Sequence, residues 1–265
     1  MLTLSATDAI VSGLTHATKI EAQAYTLHGP VLRALEAAAR RGAHVVVELE
    51  RSPFDNSHLA AENERVVEEM RAAGADARLA DPVHAKWVVE DGVAYLDDKN
   101  FGAHDLILRA DSVTDLASIP MVKHLALEAE GRLLKAARPG EDVIVESESF
   151  GCCNAVYSAL DAIARRGVSP RLVVCERELR GNARERQVLG RLVHDGVRVR
   201  VCGNSEKLAA VGDAAWMGSA NATVAFGKSD LPDWGFATYD VTIAPAVRAR
   251  LQSVWATARD FEPVE

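Results

Sequence analysis

His84, Lys86 and Asn100 are the side chains of this sequence whose types and spacing could handle a phosphoryl group. The run Val83-His84-Ala85-Lys86-Trp87-Val88-Val89 reads as a strand, and residues two apart on a strand project from one face. Glu90-Asp91-Gly92 reads as a hairpin turn, after which the returning arm brings Asn100 back beside the other two. A neutral imidazole can attack phosphorus. An ammonium and an amide next to it can hold charge on the equatorial oxygens.

These residues need elements to carry them, and the chain spells those elements twice. Ile20–Leu27 (IEAQAYTL) is followed by a helical stretch ending AARRG at 38–42 and then by the β-rich run His44–Glu50. Val143–Phe150 (VIVESESF) is followed by a helical stretch ending IARRG at 163–167 and then by RLVVCE at 171–176. An amphipathic helix comes next in each copy, over 60–73 and 184–195, stopped by Gly74 and Gly196, as glycine past the last periodic residue does. A short strand and a hairpin complete each copy. Strands alternating with helices make the class α/β. The expected architecture is two tandem lobes, 1–136 and 137–265, each a mixed, mostly parallel sheet flanked by helices. The expected seam is the Pro-Gly turn at 136–141 (AARPGE), and the lobes are expected to pack face to face with pseudo-two-fold symmetry.

The two copies also share a motif. The first has His84-x-Lys86, four residues, Asp91, then Asn100; the second has Ser205-x-Lys207, Asp213 one position late, then Gly218-Ser219-Ala220-Asn221. This pattern resembles the phospholipase D superfamily, whose signature is H-x-K-x4-D followed by a G-S-x-N-like segment. The resemblance spans nearly the whole chain. It implies metal-independent phosphodiester chemistry with no cofactor, through a phosphohistidine on His84, and a site drawn from His84, Lys86, Asp91, Asn100, Lys207, Ser219 and Asn221. It also implies that an acid near Asp105 or Asp233 hydrogen-bonds a catalytic histidine and fixes its tautomer.

The sequence departs from the family in two places. Asp97-Asp98 replaces Gly-Ser in the first copy, where carboxylates would repel a phosphodiester unless they turn away or neutralise lysines. Ser205 replaces the second histidine, which in the family protonates the leaving oxygen. That loss is worth about 10²–10⁴-fold in rate. His28, His104, Glu146, Glu148 and Glu206 are candidate substitutes, although each reads first as an ordinary surface or hydrogen-bonded group. The implied activity is a phosphodiesterase or phosphatidyl-type transferase acting on a phospholipid headgroup, a nucleic acid or a small phosphodiester. The alternative is an impaired relative that binds a phosphate-bearing ligand.

Composition narrows the classes. Of 265 residues, 38 are acidic and 30 basic, a net charge of −8, which disfavours bulk binding to nucleic acid backbones. No apolar run reaches the roughly 18 residues of a membrane span, and the first residues carry no basic-then-apolar leader, so the expected setting is cytoplasmic. Aromatics, at 5%, offer no stacking platform, and the tryptophans are expected in the core, with Trp87 and Trp234 near the motifs. Cys152, Cys153, Cys175 and Cys202 lack metal-ligand spacing and read as small buried thiols. The stretch 244–261 has a helical apolar stripe and should dock on the last lobe.

Overall fold

The computed structural model describes residues 1–102, 105–224 and 231–263. They form two compact units, one of residues 1–119 with Leu231–Asp233, the other of the described residues from Pro120 to 224 and from Trp234 onward.

The first lobe runs β1 (Leu2–Ser5), α1 (Thr7–Leu14), β2 (Lys19–Ala24), α2 (Gly29–Arg40), β3 (His44–Glu50), α3 (Ser57–Ala72), β4 (Asp76–Ala80), β5 (Lys86–Glu90), β6 (Val93–Asp97), β7 (Ile107–Ala110) and α4 (Val113–Ala117). The second runs α5 (Lys123–Lys135), β8 (Val143–Ser147), α6 (Ala155–Arg165), β9 (Arg171–Cys175), α7 (Glu176–Leu179), α8 (Ala183–His194), β10 (Arg198–Cys202), β11 (Leu208–Val211), β12 (Ala214–Gly218), β13 (Gly235–Thr238), α9 (Ile243–Thr257) and β14 (Arg259–Asp260).

The sheet orders are β1-β7-β6-β5-β2-β3-β4 and β13-β12-β11-β8-β9-β10-β14. Six strands therefore repeat in the same order, and each lobe adds one extra strand, at opposite edges. Both sheets are mixed, but they are not mostly parallel. Parallel pairing is confined to β2-β3-β4 and β8-β9-β10, and the four other pairs in each sheet are antiparallel. The reason is local: tight hairpins join β5 to β6 and β11 to β12, and a two-residue turn permits only antiparallel neighbours.

The repeated Arg-Arg-Gly words have a common task. Arg41 Nη2 donates to the carbonyls of Leu14 (3.1 Å) and Ala17 (2.8 Å), just past the end of α1. Arg166 Nη2 donates to those of Lys135 (2.9 Å) and Ala137 (3.3 Å), at the end of α5. Each guanidinium satisfies carbonyls that a helix terminus leaves without partners. The match also makes α5 the counterpart of α1. The second structural copy thus begins upstream of the 136–141 turn, and the division between compact units falls after Ile119 because α5 packs on α6, β12 and β13.

Burial separates the two sheets. In β2 and β3 buried residues alternate with half-buried or exposed ones, whereas β8, β11 and β12 are buried throughout. The sequence mirrors this, alternating in IEAQA but continuously apolar in LAAV and AAWMG, the pattern of a strand covered on both faces. The second cover is α9, which packs on β11, β12 and β8 as its apolar stripe requires. Trp216 and Trp234 are core residues. Trp255 is half-buried instead, with the Arg200 guanidinium 4.5 Å from its ring centre.

Candidate functional site

The first-lobe site assembles where β2 and β3 end and the chain enters β5. Glu50 closes β3, and its carboxylate accepts from the backbone N–H of Ser52 (2.8 Å) and Val83 (2.6 Å). Asn63 of α3, fully buried, donates to the carbonyls of Tyr25 (2.9 Å) and Glu50 (2.8 Å). These four bonds hold the extended segment that presents His84, two residues ahead of Lys86 at the start of β5.

His84 is buried, and its Nδ1 lies 2.6 Å from Oδ1 of the equally buried Asp233. An ionised carboxylate can only accept, so Nδ1 is the donor of this bond, and in the neutral ring Nε2 then holds the lone pair. The rings of Tyr25 and Phe54 meet the imidazole edge-on, with centroids at 5.5 and 5.8 Å. Lys86 is buried, with Nζ 5.6 Å from the Tyr25 ring centre. The Asn100 amide nitrogen donates to the carbonyls of Thr26 (3.2 Å) and Lys99 (3.3 Å), tying the end of the β6 arm to the end of β2. His84 and Lys86 thus lie buried side by side near Tyr25, while Phe54 is exposed.

Asp97 and Asp98 are fully buried. Asp97 accepts from the backbone N–H of Phe101, and its carboxyl is held well above the usual carboxylate range by burial, then by the neighbouring Asp98 and Asp105. Asp105 pairs with Lys99 at 2.5 Å and accepts from Gly102 N–H, so its partner is a lysine and not a histidine.

Asp91 does not belong with these groups. It sits in the β5–β6 turn at φ +46°, exposed, at the far end of β5 from Lys86. Its carboxylate accepts from the N–H groups of Thr18 (3.2 Å) and Lys19 (2.9 Å), which pull it below its ordinary value. Its work is to pin the hairpin to the start of β2.

The second lobe repeats the geometry with altered chemistry. Gln23 faces Trp87 across β2 and β5, and Glu146 faces Leu208 across β8 and β11, which makes Tyr25 and Glu148 equivalent. Where Lys86 has an aromatic neighbour, Lys207 Nζ has the Glu148 carboxylate at 3.0 Å and donates to the Ser205 carbonyl at 2.9 Å. Arg177 reaches the same carboxylate at 2.8 Å. Glu206 is fully buried against Arg250, 2.8 Å away. Asn221 Oδ1 accepts from Ser149 N–H at 3.4 Å, so it meets the position equivalent to Thr26, but as an acceptor where Asn100 donates. Ser219 is fully buried; its Oγ accepts from Trp234 N–H (3.1 Å) and its own N–H donates to the Trp234 carbonyl (2.8 Å). Ser219 thus helps join the strands.

Of the candidate substitutes, His28 is exposed at the head of α2, Glu146 and Glu206 are buried, and Glu148 is committed to Lys207 and Arg177. His104 lies outside the described residues. Trp87 projects from the opposite face of β5 to Lys86 and donates to Gln23 (3.1 Å). Among the described residues no three His, Cys, Asp or Glu side chains are arranged to hold a metal ion. No helix among them is long and apolar enough to cross a membrane.

No family model and no curated protein matches the sequence. Solved structures do. A phosphatidylserine synthase from Haemophilus influenzae Rd KW20 superposes over 98% of this chain and 87% of its own, with a TM-score of 0.66 at 9% identity. A polyphosphate kinase from Porphyromonas gingivalis superposes over 100% of this chain with a TM-score of 0.60 at 16% identity, and the present chain spans 53% of its length. The chain therefore shares the fold of these two proteins. Nuc from Salmonella typhimurium, a phospholipase D family member, matches over 50% of this chain and 88% of its own, at 21% identity and a TM-score of 0.44.

Sequence reasoning missed Tyr25, Phe54, Glu50 and Asn63. Tyr25 was within reach, because it lies one residue past β2, and strand ends border ligand crevices in open α/β sheets. Glu50 and Asn63 act through the backbone, which leaves no pattern to read.

Proposed function

We propose that this protein is a phosphodiesterase or phosphatidyl-type transferase whose nucleophile is His84. The single observation that carries the reading is the buried Asp233–His84 contact at 2.6 Å, which in the neutral imidazole puts the proton on Nδ1 and the lone pair on Nε2. Nε2 forms a bond to phosphorus while the bond from phosphorus to the leaving oxygen breaks, giving a phosphohistidine. Asp233 stabilises the positive charge that the ring then carries, and Lys86 balances the phosphoryl oxygens. Water, or an acceptor alcohol, attacks phosphorus and frees the imidazole. Solved structures sharing the fold include a polyphosphate kinase and a phosphatidylserine synthase, which supports a phosphate-bearing substrate.

Ser205 cannot protonate a leaving oxygen near neutral pH, so the rate should depend steeply on the leaving group. Bis-p-nitrophenyl phosphate, whose leaving group needs no proton, is the substrate of choice. Metal-independent turnover that disappears in His84→Asn and Lys86→Ala supports the reading, as does acid-labile phosphate on the protein after rapid quenching. Turnover that survives His84→Asn ends it.

A second reading, a noncatalytic phosphate-binding protein, is favoured by one observation: Glu148 and Arg177 already engage the Lys207 motif. It predicts binding of inorganic phosphate or pyrophosphate that is weakened by Lys86→Ala, with no turnover of any phosphodiester.

A further inference from the structure

Adjacent cysteines in a chain of ordinary composition were expected to be buried, and two of the four are not. Cys153 is exposed and Cys152 half-buried, in the loop between β8 and α6. Their sulfurs lie 3.4 Å apart, with the Cys153 thiol donating to Cys152 Sγ. Cys153 adopts φ +67°, a left-handed conformation that side chains other than glycine rarely take, and that turn brings the two thiols together. The Cys153 hydrogen bond and then the Arg184 guanidinium lower the Cys152 thiol below its ordinary value, while the neighbouring Cys152 raises Cys153. One thiol of the pair is thus primed to ionise and the other to keep its proton. Cys175 is buried in the core, and burial pushes Cys202 up to about 11.

We propose that Cys152 and Cys153 form a hydroperoxide-reactive dithiol in which Cys152 is the attacking thiolate and Cys153 the resolving thiol. The Cys152 thiolate attacks the terminal oxygen of hydrogen peroxide. The O–O bond breaks, Cys152 becomes a sulfenic acid, and the departing hydroxide takes a proton from solvent. Cys153 sulfur then attacks Cys152 Sγ, forming the S–S bond and releasing the sulfenic oxygen as water together with the Cys153 proton. Two thiols and one peroxide give one disulfide and two waters. A low-pKa, accessible cysteine beside a resolving partner is the arrangement that favours this sequence.

The geometry also makes the product reversible. Adjacent Cα atoms across a trans peptide stand about 3.8 Å apart. Disulfides prefer roughly 4.4–6.8 Å, so an eight-membered ring here is strained and easily reduced by small thiols. Ring closure acts on Asn154, the next residue, whose amide donates to the carbonyls of Gly151 and Ala222, each at 2.8 Å. Ala222 follows Asn221 directly, so oxidation bears on the segment holding the second motif. This inference does not rest on the catalytic reading.

The test uses the reduced full-length chain, treated with equimolar hydrogen peroxide, alkylated and analysed by intact mass and peptide mapping. Expected is the loss of two hydrogens, located to a single peptide with Cys152 joined to Cys153, and recovery on adding a thiol. Cys153→Ser should accumulate a sulfenic acid at position 152 that dimedone traps. Cys152→Ser should slow oxidation about tenfold or more. Circular dichroism on both variants checks that the fold is kept. Oxidation of Cys202 as fast as Cys152, or an unchanged rate in Cys152→Ser, overturns the proposal.

Discussion

Asp233 reaches Nδ1 of His84 across 149 residues of sequence and holds it at 2.6 Å with both groups buried. The consequence is a defined tautomer, because the carboxylate can accept a proton's hydrogen bond but cannot donate one. Asp233→Asn keeps the shape and reverses that logic. An amide nitrogen facing Nδ1 would donate to it and move the ring proton to Nε2, the attacking atom. Turnover of bis-p-nitrophenyl phosphate should fall roughly 10–100-fold, the usual cost of removing an outer-shell partner of a working histidine. The loss should lie in kcat with KM little changed, since Asp233 is placed to reach the imidazole. An equal loss in KM, or none in kcat, would contradict the role.

Asp91 should behave in the opposite way. The motif aspartate accepts from Thr18 and Lys19 at the hairpin and lies at the end of β5 away from His84. Asp91→Ala should lower the melting temperature and leave kcat per folded molecule unchanged. The carboxyl is held below its ordinary value in the folded chain, so its contribution is present at neutral pH and is lost as pH falls through that lowered value. The melting temperatures of variant and wild type should therefore converge in acid. A kcat defect at full folding would return Asp91 to the catalytic set.

The contrast between Asp91 and Asp233 marks what the sequence could and could not disclose. Strand positions, hairpins and helix stops were legible because each is local: period-two alternation, Asp-Gly at the turn, glycine after a helix. The repeat was legible too, down to the Arg-Arg-Gly words that staple α1 and α5. Lys86 and Asn100 both lie by the end of β2, whereas Asp91, drawn into the site by the resemblance, stands at the other end of β5. Five residues of strand carry a side chain about 16 Å away. Glu148 read first as an ordinary hydrogen-bonded group and only second as an acid source; its partner Lys207 follows from the equivalence with Tyr25, which only strand register exposes. The sheets proved less parallel than expected because hairpin arms were not counted as strands of the same sheet.

The difference between Asp97 and Gly218 follows from strand pairing. β12 and β13 stay paired to Gly218 opposite Gly235, whereas β6 and β7 separate after Leu96 opposite Leu108. A Cβ on residue 218 would meet the Trp234 carbonyl and stand 2.7 Å from Gly235 Cα, both parts of a backbone that cannot step aside. Gly218→Ala should destabilise the second lobe by about 1–3 kcal/mol, the range for overpacking. Denaturant unfolding measures it. An unchanged midpoint would mean that β13 can shift, and the second motif's glycine would then need another explanation.

Glu90 supplies a stability effect that depends on pH. It closes β5 with its side chain buried, and burial raises its carboxyl to about 7; a hydrogen bond with Tyr95 opposes the shift, and Asp91 adds to it. Below its ordinary value of 4.5 the group is protonated whether the chain is folded or not, and its contribution is complete. As pH rises from there, the unfolded chain releases the proton while the folded one retains it. Stability therefore declines until about pH 7, where the folded group ionises as well. Discounted for partial contact with solvent, the decline amounts to about 1–2 kcal/mol. Glu130 and Glu185 are raised in the same direction, so the wild-type curve sums several such groups. Glu90→Gln removes one of them without changing volume. Urea unfolding between about pH 5 and pH 8 should show the variant gaining on the wild type as pH rises, with the gap widest near the alkaline end. A gap that stays constant across that range would place the Glu90 carboxyl in water.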